Sequence, residues 1–317
     1  MSIRVLRAGL LTTVQDLGRR GHQRDGVPVS GAMDPVALRL ANLLAGNDEG
    51  AAGLEVTLDG PRLAFDAEAI VAVGGADLQA RVDGRRLRPW RAARVPAGGT
   101  LEFGGWRAGC RAYVAVGGGI DVAPVLGSRS TYLLARFGGL AGRPLRRGDV
   151  LSTGPQRPGS SATLAGRAIA PSARPAYGGP VRLIPGAHLD LLTPDARARL
   201  FDAEFRVTPK SDRMGYRLAG PPLALAAPVE LLSAGVAFGT VQLPPGADPI
   251  VLMADRQTTG GYPRLGEVAT VDLPAMAQLR PGDAVRFAPI SLGEAQALYL
   301  ERERTIAALR RALLLSP

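Results

Sequence analysis

Apolar positions along this 317-residue chain come in short runs separated by Gly, Pro and Asp. Residues 3–11, with Val5, Leu6 and Leu10, read as a strand. The polar, Gly-rich segment that follows shows neither a helical nor an alternating period. A helix then starts at Asp34, whose carboxylate can cap free N–H groups, and Pro35 suits the first helical position because it has no N–H to leave unbonded. Val36, Leu40, Leu43 and Leu44 make its apolar stripe, and Gly46 and Asn47 end it. Residues 54–151 alternate short apolar segments with turn residues. The runs at 69–73, 78–82, 100–103 and 111–116 read as strands, and Asp83-Gly84 marks a tight hairpin. Residues 154–180, rich in Pro, Ser, Ala and Gly, read as a linker. Residues 181–184 form a strand, Thr193 and Pro194 open a short helix to about Phe201, and strands resume over 205–287. Ser291 and Glu294 form a capping box that opens a last helix to about Leu315. Its face of Ala295, Leu298, Ile306, Leu309 and Leu313 is expected to pack on the body.

The order of these elements repeats. Residues 30–33 (SGAM) answer 211–214 (SDRM), 60–64 (GPRLA) answer 220–224 (GPPLA), 124–131 (PVLGSRST) answer 263–270 (PRLGEVAT), and Gly148-Asp149 answers Gly282-Asp283. Collinear matches with a steadily falling offset point to duplication with insertions in the first copy. The predicted fold is therefore mainly β, with two related barrel domains, a few short helices and a C-terminal helix. The boundaries are 1–154 for the first half with its N-terminal polar segment, 155–180 for the linker, 181–290 for the second half and 291–317 for the last helix.

One stretch draws the eye to chemistry. Residues 254–266, ADRQTTGGYPRLG, follow an apolar run and gather charge, amide, hydroxyl and glycine in one loop. A loop held by a rigid scaffold is a common place for a site. By the repeat, its counterpart is residues 117–131, and two such loops could face one cleft.

Composition narrows the function. The net charge of +10 comes from scattered arginines with few aromatics among them, which argues against nucleic-acid binding. Lys210 is the only lysine and sits in PKSD. The chain thus has no P-loop for ATP, and Lys210 lacks the setting expected of a covalently bound biotin. Cys110 is the only cysteine and reads as core. His22 and His188, the only histidines, lie far apart in loops and give no zinc spacing. With no signal-peptide pattern and no apolar run long enough to span a membrane, a cytoplasmic protein is expected.

The segments TTVQDLGRRG, GVPVSGAMDPVALRLANLLAGN, GGIDVAPVLGSRST, SDRMGYRL and GTVQLPPGADPIVLMADRQTTGGYPRLG together resemble the family of KipA and the 5-oxoprolinase C subunit, whose module also occurs in the carboxyltransferase part of urea carboxylase. The resemblance covers about residues 3–290. One departure is Gly246-Ala247-Asp248, where the family usually reads Gly-Gln-Pro. It implies cyclophilin-like barrels, a KipI-like partner that serves as the B subunit of 5-oxoprolinase, and a further A subunit. It also implies an assembly that uses ATP to open 5-oxo-L-proline to L-glutamate. Two alternatives stay open: a carboxyltransferase subunit that uses carboxybiotin on a urea- or amide-like substrate, and a KipA-type regulator that binds a KipI-like protein.

Opening a lactam at neutral pH requires an activated amide oxygen, a cation for the substrate carboxylate, donors for developing negative charge and a base for water. Asp212, Arg213, Tyr216 and Asp255 are the candidate catalytic set, with Arg213 for substrate or phosphate charge and Asp212 or Asp255 as base. Gln15, Asp16, Arg19, Ser128, Arg129, Ser130, Thr131, Gln242, Arg256, Gln257, Thr258, Gly260, Gly261 and Tyr262 are candidates for substrate contact. Arg suits a bidentate carboxylate contact better than Lys. The Asp–Arg pairs could instead brace loops, and Gln15, Asp16 and Arg19 could equally line the site or touch the partner, or brace the N-terminal loop.

Overall fold

Asp34 and Pro35 start the first helix where the pattern puts it. The computed structural model describes residues 1–156 and 163–315. Helix α1 spans Pro35–Leu44, and the Asp34 carboxylate accepts from the Ala37 N–H at 2.8 Å. Val36, Leu40, Leu43 and Leu44 are all buried. Asp34→Ala is expected to lower stability by about 1 kcal/mol, read as a shift in the urea midpoint at unchanged slope. The other helices are α2 (Pro194–Asp202), capped by Thr193 on Ala196 N, α3 (Leu273–Ala277) and α4 (Leu292–Leu315). The capping box is present. Glu294 N donates to Ser291 Oγ at 3.2 Å, and Ser291 N donates to Glu294 Oε2 at 3.0 Å. The alternating pattern over 205–287 gave no sign of α3, which is only five residues long.

The chain divides into two compact units. Unit 1 comprises Met1–Arg19, Ser30–Pro175 and Arg304–Pro317, and unit 2 comprises Arg20–Val29 and Ala176–Glu303. Unit 1 holds a seven-stranded sheet in the order Ile120–Asp121, Val150–Thr153, Ser2–Arg7, Arg62–Phe65, Thr100–Phe103, Ala80–Val82, Arg85–Arg86. Its second sheet has five strands, in the order Leu11–Gln15, Gly53–Thr57, Ala108–Val116, Ala69–Asp77, Arg91–Val95. Ile3, Val5 and Leu63 from the first sheet and Leu54, Val71 and Val114 from the second share one core. A closed barrel, as the repeat predicted, is not what this unit shows. Its strands divide between two sheets that bury apolar faces in common.

Two local features of unit 1 follow directly from sequence. Asp83 (φ 45°) and Gly84 (φ 75°) make the predicted two-residue hairpin turn between the strands Ala80–Val82 and Arg85–Arg86, since both central positions of that turn are left-handed. The strand expected over 3–11, in contrast, is two strands. Gly9 breaks it with φ 75°, where a Cβ would lie 2.4 Å from the Asp59 carbonyl oxygen. The second strand, Leu11–Gln15, buries Thr12, Thr13 and Gln15, so its polar side chains conceal it from a hydrophobic pattern. In the stretch expected as linker, Ala92 N donates to Arg167 O and Ile169 N to Trp90 O (2.9 and 3.0 Å), which lays residues 167–169 along the strand Arg91–Val95. Residues 157–162 of that stretch lie outside the described residues. Cys110 is buried, in line with a core role.

Unit 2 is built on one eight-stranded sheet, in the order Ala284–Val285, Phe205–Val207, Gly215–Ala219, Ile250–Leu252, Thr240–Gln242, Arg264–Val268, Val181–Pro185, Phe287–Pro289. Its first and last strands are separated in the chain by Arg286 alone, so the sheet curls almost into a barrel. Phe205 and Phe287 meet inside it with ring centroids 6.1 Å apart, and Leu183, Val241, Val251 and Leu265 are fully buried.

The repeat is visible at one turn. In unit 1, Gly148 N donates to Val5 O, Val5 N to Asp149 O, and Arg146 N to Asp149 Oδ2. In unit 2, Gly282 N donates to Val207 O, Val207 N to Asp283 O, and Arg280 N to Asp283 Oδ2. Both glycines have φ 92°. The match of 124–131 with 263–270 does not extend to structure. Val125 to Ser128 is a tight turn closed by an isolated bridge, whereas Arg264–Val268 is an interior strand.

Candidate functional site

In unit 1, Asp16 organises the loop around residue 129. Its Oδ1 accepts from Ser128 Oγ (2.6 Å), Ser130 Oγ (2.5 Å) and Gly18 N (2.8 Å), and its Oδ2 accepts from Arg129 N (2.6 Å). The two serine hydroxyls are thereby spent on the carboxylate. Arg19 donates to the carbonyls of Ser130 and Val125, and its guanidinium lies 4.8 Å from the centre of the Phe137 ring. The Arg129 side chain donates to Val122 O at 2.8 Å and pairs with Asp121 at 3.3 Å. Thr131 Oγ1 donates to Val14 O. Gln15 Nε2 donates to Thr13 Oγ1 and Thr131 O, while its Oε1 is buried and meets no donor among the described residues. These seven residues therefore form one connected polar cluster of largely buried groups.

Next to it, the segment 31–32 crosses residues 16–18. Ala32 N donates to Asp16 O, and a Cβ on Gly31 (φ 87°) would lie 2.8 Å from Gly18 N. Gly31→Ala is expected to cost about 1–3 kcal/mol, since it forces an L side chain into a left-handed position with no room. A chemical-denaturation midpoint reads it. Met33 N and the Tyr113 hydroxyl both donate to Glu55 Oε2 at 2.8 Å. Burial, reinforced by Glu55 and Asp34, pushes the Tyr113 hydroxyl well above its usual range.

In unit 2, the stretch that drew attention in the sequence leads from the strand Ile250–Leu252 into the strand Arg264–Val268, with Thr259–Gly260 paired to Ala234–Gly235 on the way. Arg213 and Asp255 hold each other in a buried bidentate pair, Nε to Oδ2 at 2.8 Å and Nη2 to Oδ1 at 3.0 Å. Asp255 N also donates to Arg213 O. Asp212 is exposed, and its Oδ1 accepts from Met214 N and Gly215 N, closing a turn. Tyr216 is buried with its hydroxyl directed at Leu279 O, 3.4 Å away. The four residues predicted as catalytic thus lie together at the start of Gly215–Ala219, with Arg213 bound to Asp255 and Tyr216 turned into the core.

A polar layer lies beside them. Thr240 and Gln242 share one face of their strand, because side chains alternate with period two. Gln242 Oε1 accepts from Gln257 Nε2 at 3.3 Å, and its buried Nε2 finds no acceptor among the described residues. Gly260 lies against that amide, and a Cβ there would stand 2.6 Å from Nε2. Thr240 Oγ1 contacts both oxygens of Glu267, at 2.9 and 2.8 Å. The guanidinium of Arg256 lies 5.8 Å from the centre of the Phe238 ring. Burial lowers Arg256 to about 10, against the pull of Glu267 and Asp255 and with the push of Arg20. Burial raises the Glu267 carboxyl, opposed by the Thr240 hydroxyl, Arg264 and Arg256. Thr258 O accepts from Val236 N, and Gly261 and Tyr262 line a largely apolar groove of about 830 Å³ with Leu225, Leu231, Leu243 and Pro244.

Thr240, Phe238 and Glu267 were not singled out from sequence. The available signal was the polar residue at alternate positions of the strand Thr240–Gln242; Arg264 and Glu267 lie three apart in the strand Arg264–Val268 and gave no such alternation. Among the described residues, no group of three or more His, Cys, Asp and Glu is placed to hold a metal ion, and no helix is long and apolar enough to cross a membrane.

A family model described as "Carboxyltransferase domain, subdomain A and B" matches residues 25–289. The 5-oxoprolinase C subunit of Escherichia coli K12 is 38% identical over 95% of this chain and 96% of its own length. The 5-oxoprolinase C subunit of Haemophilus influenzae is likewise 38% identical, over 94% of each chain. Among solved structures, the urea amidolyase of K. lactis superposes with a TM-score of 0.90 at 31% identity, covering 97% of this chain. This chain spans only 20% of that protein's length.

Proposed function

Because the chain belongs to the carboxyltransferase-domain family whose members include proteins named as the C subunit of 5-oxoprolinase, we propose that it is the C subunit of an ATP-dependent 5-oxoprolinase, which opens 5-oxo-L-proline to L-glutamate together with its A and B subunits. The observation that carries this reading is the match to the E. coli C subunit over nearly the whole of both chains. The cyclophilin-like character of the two units belongs to the same proposal. The near-closed sheet of unit 2 and the turn shared by both units support it.

In this reading ATP is a co-substrate. Lacking a P-loop, this chain leaves the nucleotide to be held with its partner subunits. The lactam binds on the polar face of unit 2. There Gln242 and Gln257 supply amide donors and acceptors for its N–H and C=O, and Arg256 supplies the cation for its carboxylate. Arg213 and Asp255 hold the loop that carries Arg256 and Gln257. On Gln257→Ala, KM for 5-oxoproline is expected to rise about tenfold, the equivalent of one polar contact, while the thermal midpoint stays near that of the wild type because Gln257 is exposed. An unchanged KM would remove the amide from the site.

The second reading, carboxyl transfer from carboxybiotin to a urea-like amide, is favoured by the TM-score of 0.90 to the urea amidolyase. The substrate choice of the purified assembly separates the two. ATP-dependent glutamate release from 5-oxoproline supports the first. Bicarbonate-dependent carboxylation of urea, with no glutamate release, supports the second.

A further inference from the structure

Glu267 stands apart from the other carboxylates of unit 2. Asp255 is neutralised by Arg213, and Asp212 is spent on a turn. Glu267 is half-buried on the interior strand Arg264–Val268, and its described hydrogen-bond partner is the single hydroxyl of Thr240. Opposite it on the other neighbouring strand is Ile184, which offers no charge. Arg264 on its own strand and Arg256 on the preceding loop act on it through space, without an ion pair within 4 Å among the described residues. A carboxyl held half-buried by one hydroxyl, with no ion pair within 4 Å among the described residues, is neither locked as an anion nor freely solvated, which is the setting of a group that can give and take protons.

We propose that Glu267 is the proton-transfer group of the site. The role rests on the ring-opening reading above. As a water oxygen bonds to the activated carbonyl carbon, one water proton moves to Glu267. As the carbon–nitrogen bond breaks, its electron pair stays on nitrogen and Glu267 returns the proton there. The remaining hydroxyl proton passes to solvent, and the carbon is left as an acyl phosphate carrying the phosphoryl group that ATP placed on the amide oxygen. A second water then displaces phosphate to give the free carboxylate. The Glu267 carboxylate ends as it began. Thr240 is a positioning residue that fixes the Glu267 carboxylate.

The test uses Glu267→Gln, which keeps the shape and an acceptor for Thr240. In the assembled enzyme with 5-oxoproline and ATP, kcat is expected to fall by about 100-fold or more with KM within about threefold, and the rising limb of the kcat/KM pH profile is expected to disappear. The thermal midpoint of the isolated chain supplies a second readout. The protonated carboxyl is the form the fold favours. Its contribution to stability is therefore complete below the ordinary glutamate value of about 4.3 and is lost as pH rises through the raised folded value. The variant should match the wild type near pH 4 and exceed it at pH 8. A variant that keeps wild-type kcat and the pH limb overturns the role of Glu267 and leaves the ring-opening reading standing. A wild-type assembly that releases no glutamate overturns that reading itself, and the role with it.

Discussion

Replacing Arg213 with alanine is expected to destabilise unit 2 by about 3–5 kcal/mol, because it strands the Asp255 carboxylate in a buried position without its partner. Asp255→Ala removes the carboxylate that grips the Arg213 guanidinium and should also destabilise the unit. Both ends of the pair are almost fully buried, at 7% and 5% side-chain exposure, and the contact is bidentate. The double replacement Arg213→Met, Asp255→Leu is the informative companion. Exchanging a whole buried ion pair for packed apolar groups is commonly neutral or stabilising, so the double variant should recover most of the loss. Urea unfolding of the three variants reads this directly. The outcome also bears on chemistry. If the pair braces the loop, activity recovers with stability in the double variant. If Arg213 binds substrate charge, as its sequence context first suggested, the double variant is stable and inactive.

Asp16→Ala is expected to cost roughly 2–4 kcal/mol in unit 1, on the scale of hydrogen bonds to a charged group. The substitution removes the one acceptor shared by Ser128 Oγ, Ser130 Oγ, Arg129 N and Gly18 N. Asp16→Asn should lose less, because one oxygen remains, although its amide must turn a donor towards groups that are themselves donors. Hydrogen exchange of the Arg129 and Gly18 amides gives the local readout. Both should exchange markedly faster in Asp16→Ala, with the amides of Ala69–Asp77 changing only as far as global stability changes. Unaltered protection at Arg129 would show that the loop does not depend on Asp16.

How much of this was legible in the sequence depends on how local the determinant is. Asp34-Pro35, Asp83-Gly84, Thr193-Pro194 and the Ser291/Glu294 box each act over three or four residues, and each produced the element expected. The strand Leu11–Gln15 was not legible, because its buried Thr12, Thr13 and Gln15 hydrogen-bond to partners as distant as Thr131. The short repeat gave the shared turn at Gly148 and Gly282 correctly. It misled at residues 124–131, where the same Pro-x-Leu-Gly letters fold as a turn in one unit and lead into a strand in the other. Most of the candidate residues were chosen by their chemistry, since Asp, Arg and Gln in one glycine-rich loop are an unusual gathering. Their allegiances were not found. Arg213 and Asp255 are 42 residues apart, Glu267 and Thr240 are 27 apart, and only the register of the sheet decides that the first pair closes on itself while Glu267 is left with a hydroxyl.

The proposed function makes this chain a working part of an ATP-dependent lactam hydrolase. The most direct measurement follows 13C-labelled 5-oxo-L-proline by NMR in the presence of ATP and the purified A and B subunits, with and without this chain. Conversion to labelled glutamate, matched by phosphate release and absent when this chain is omitted, is the result predicted. Equal glutamate formation without the chain, or label that remains in the lactam with every component present, would contradict it.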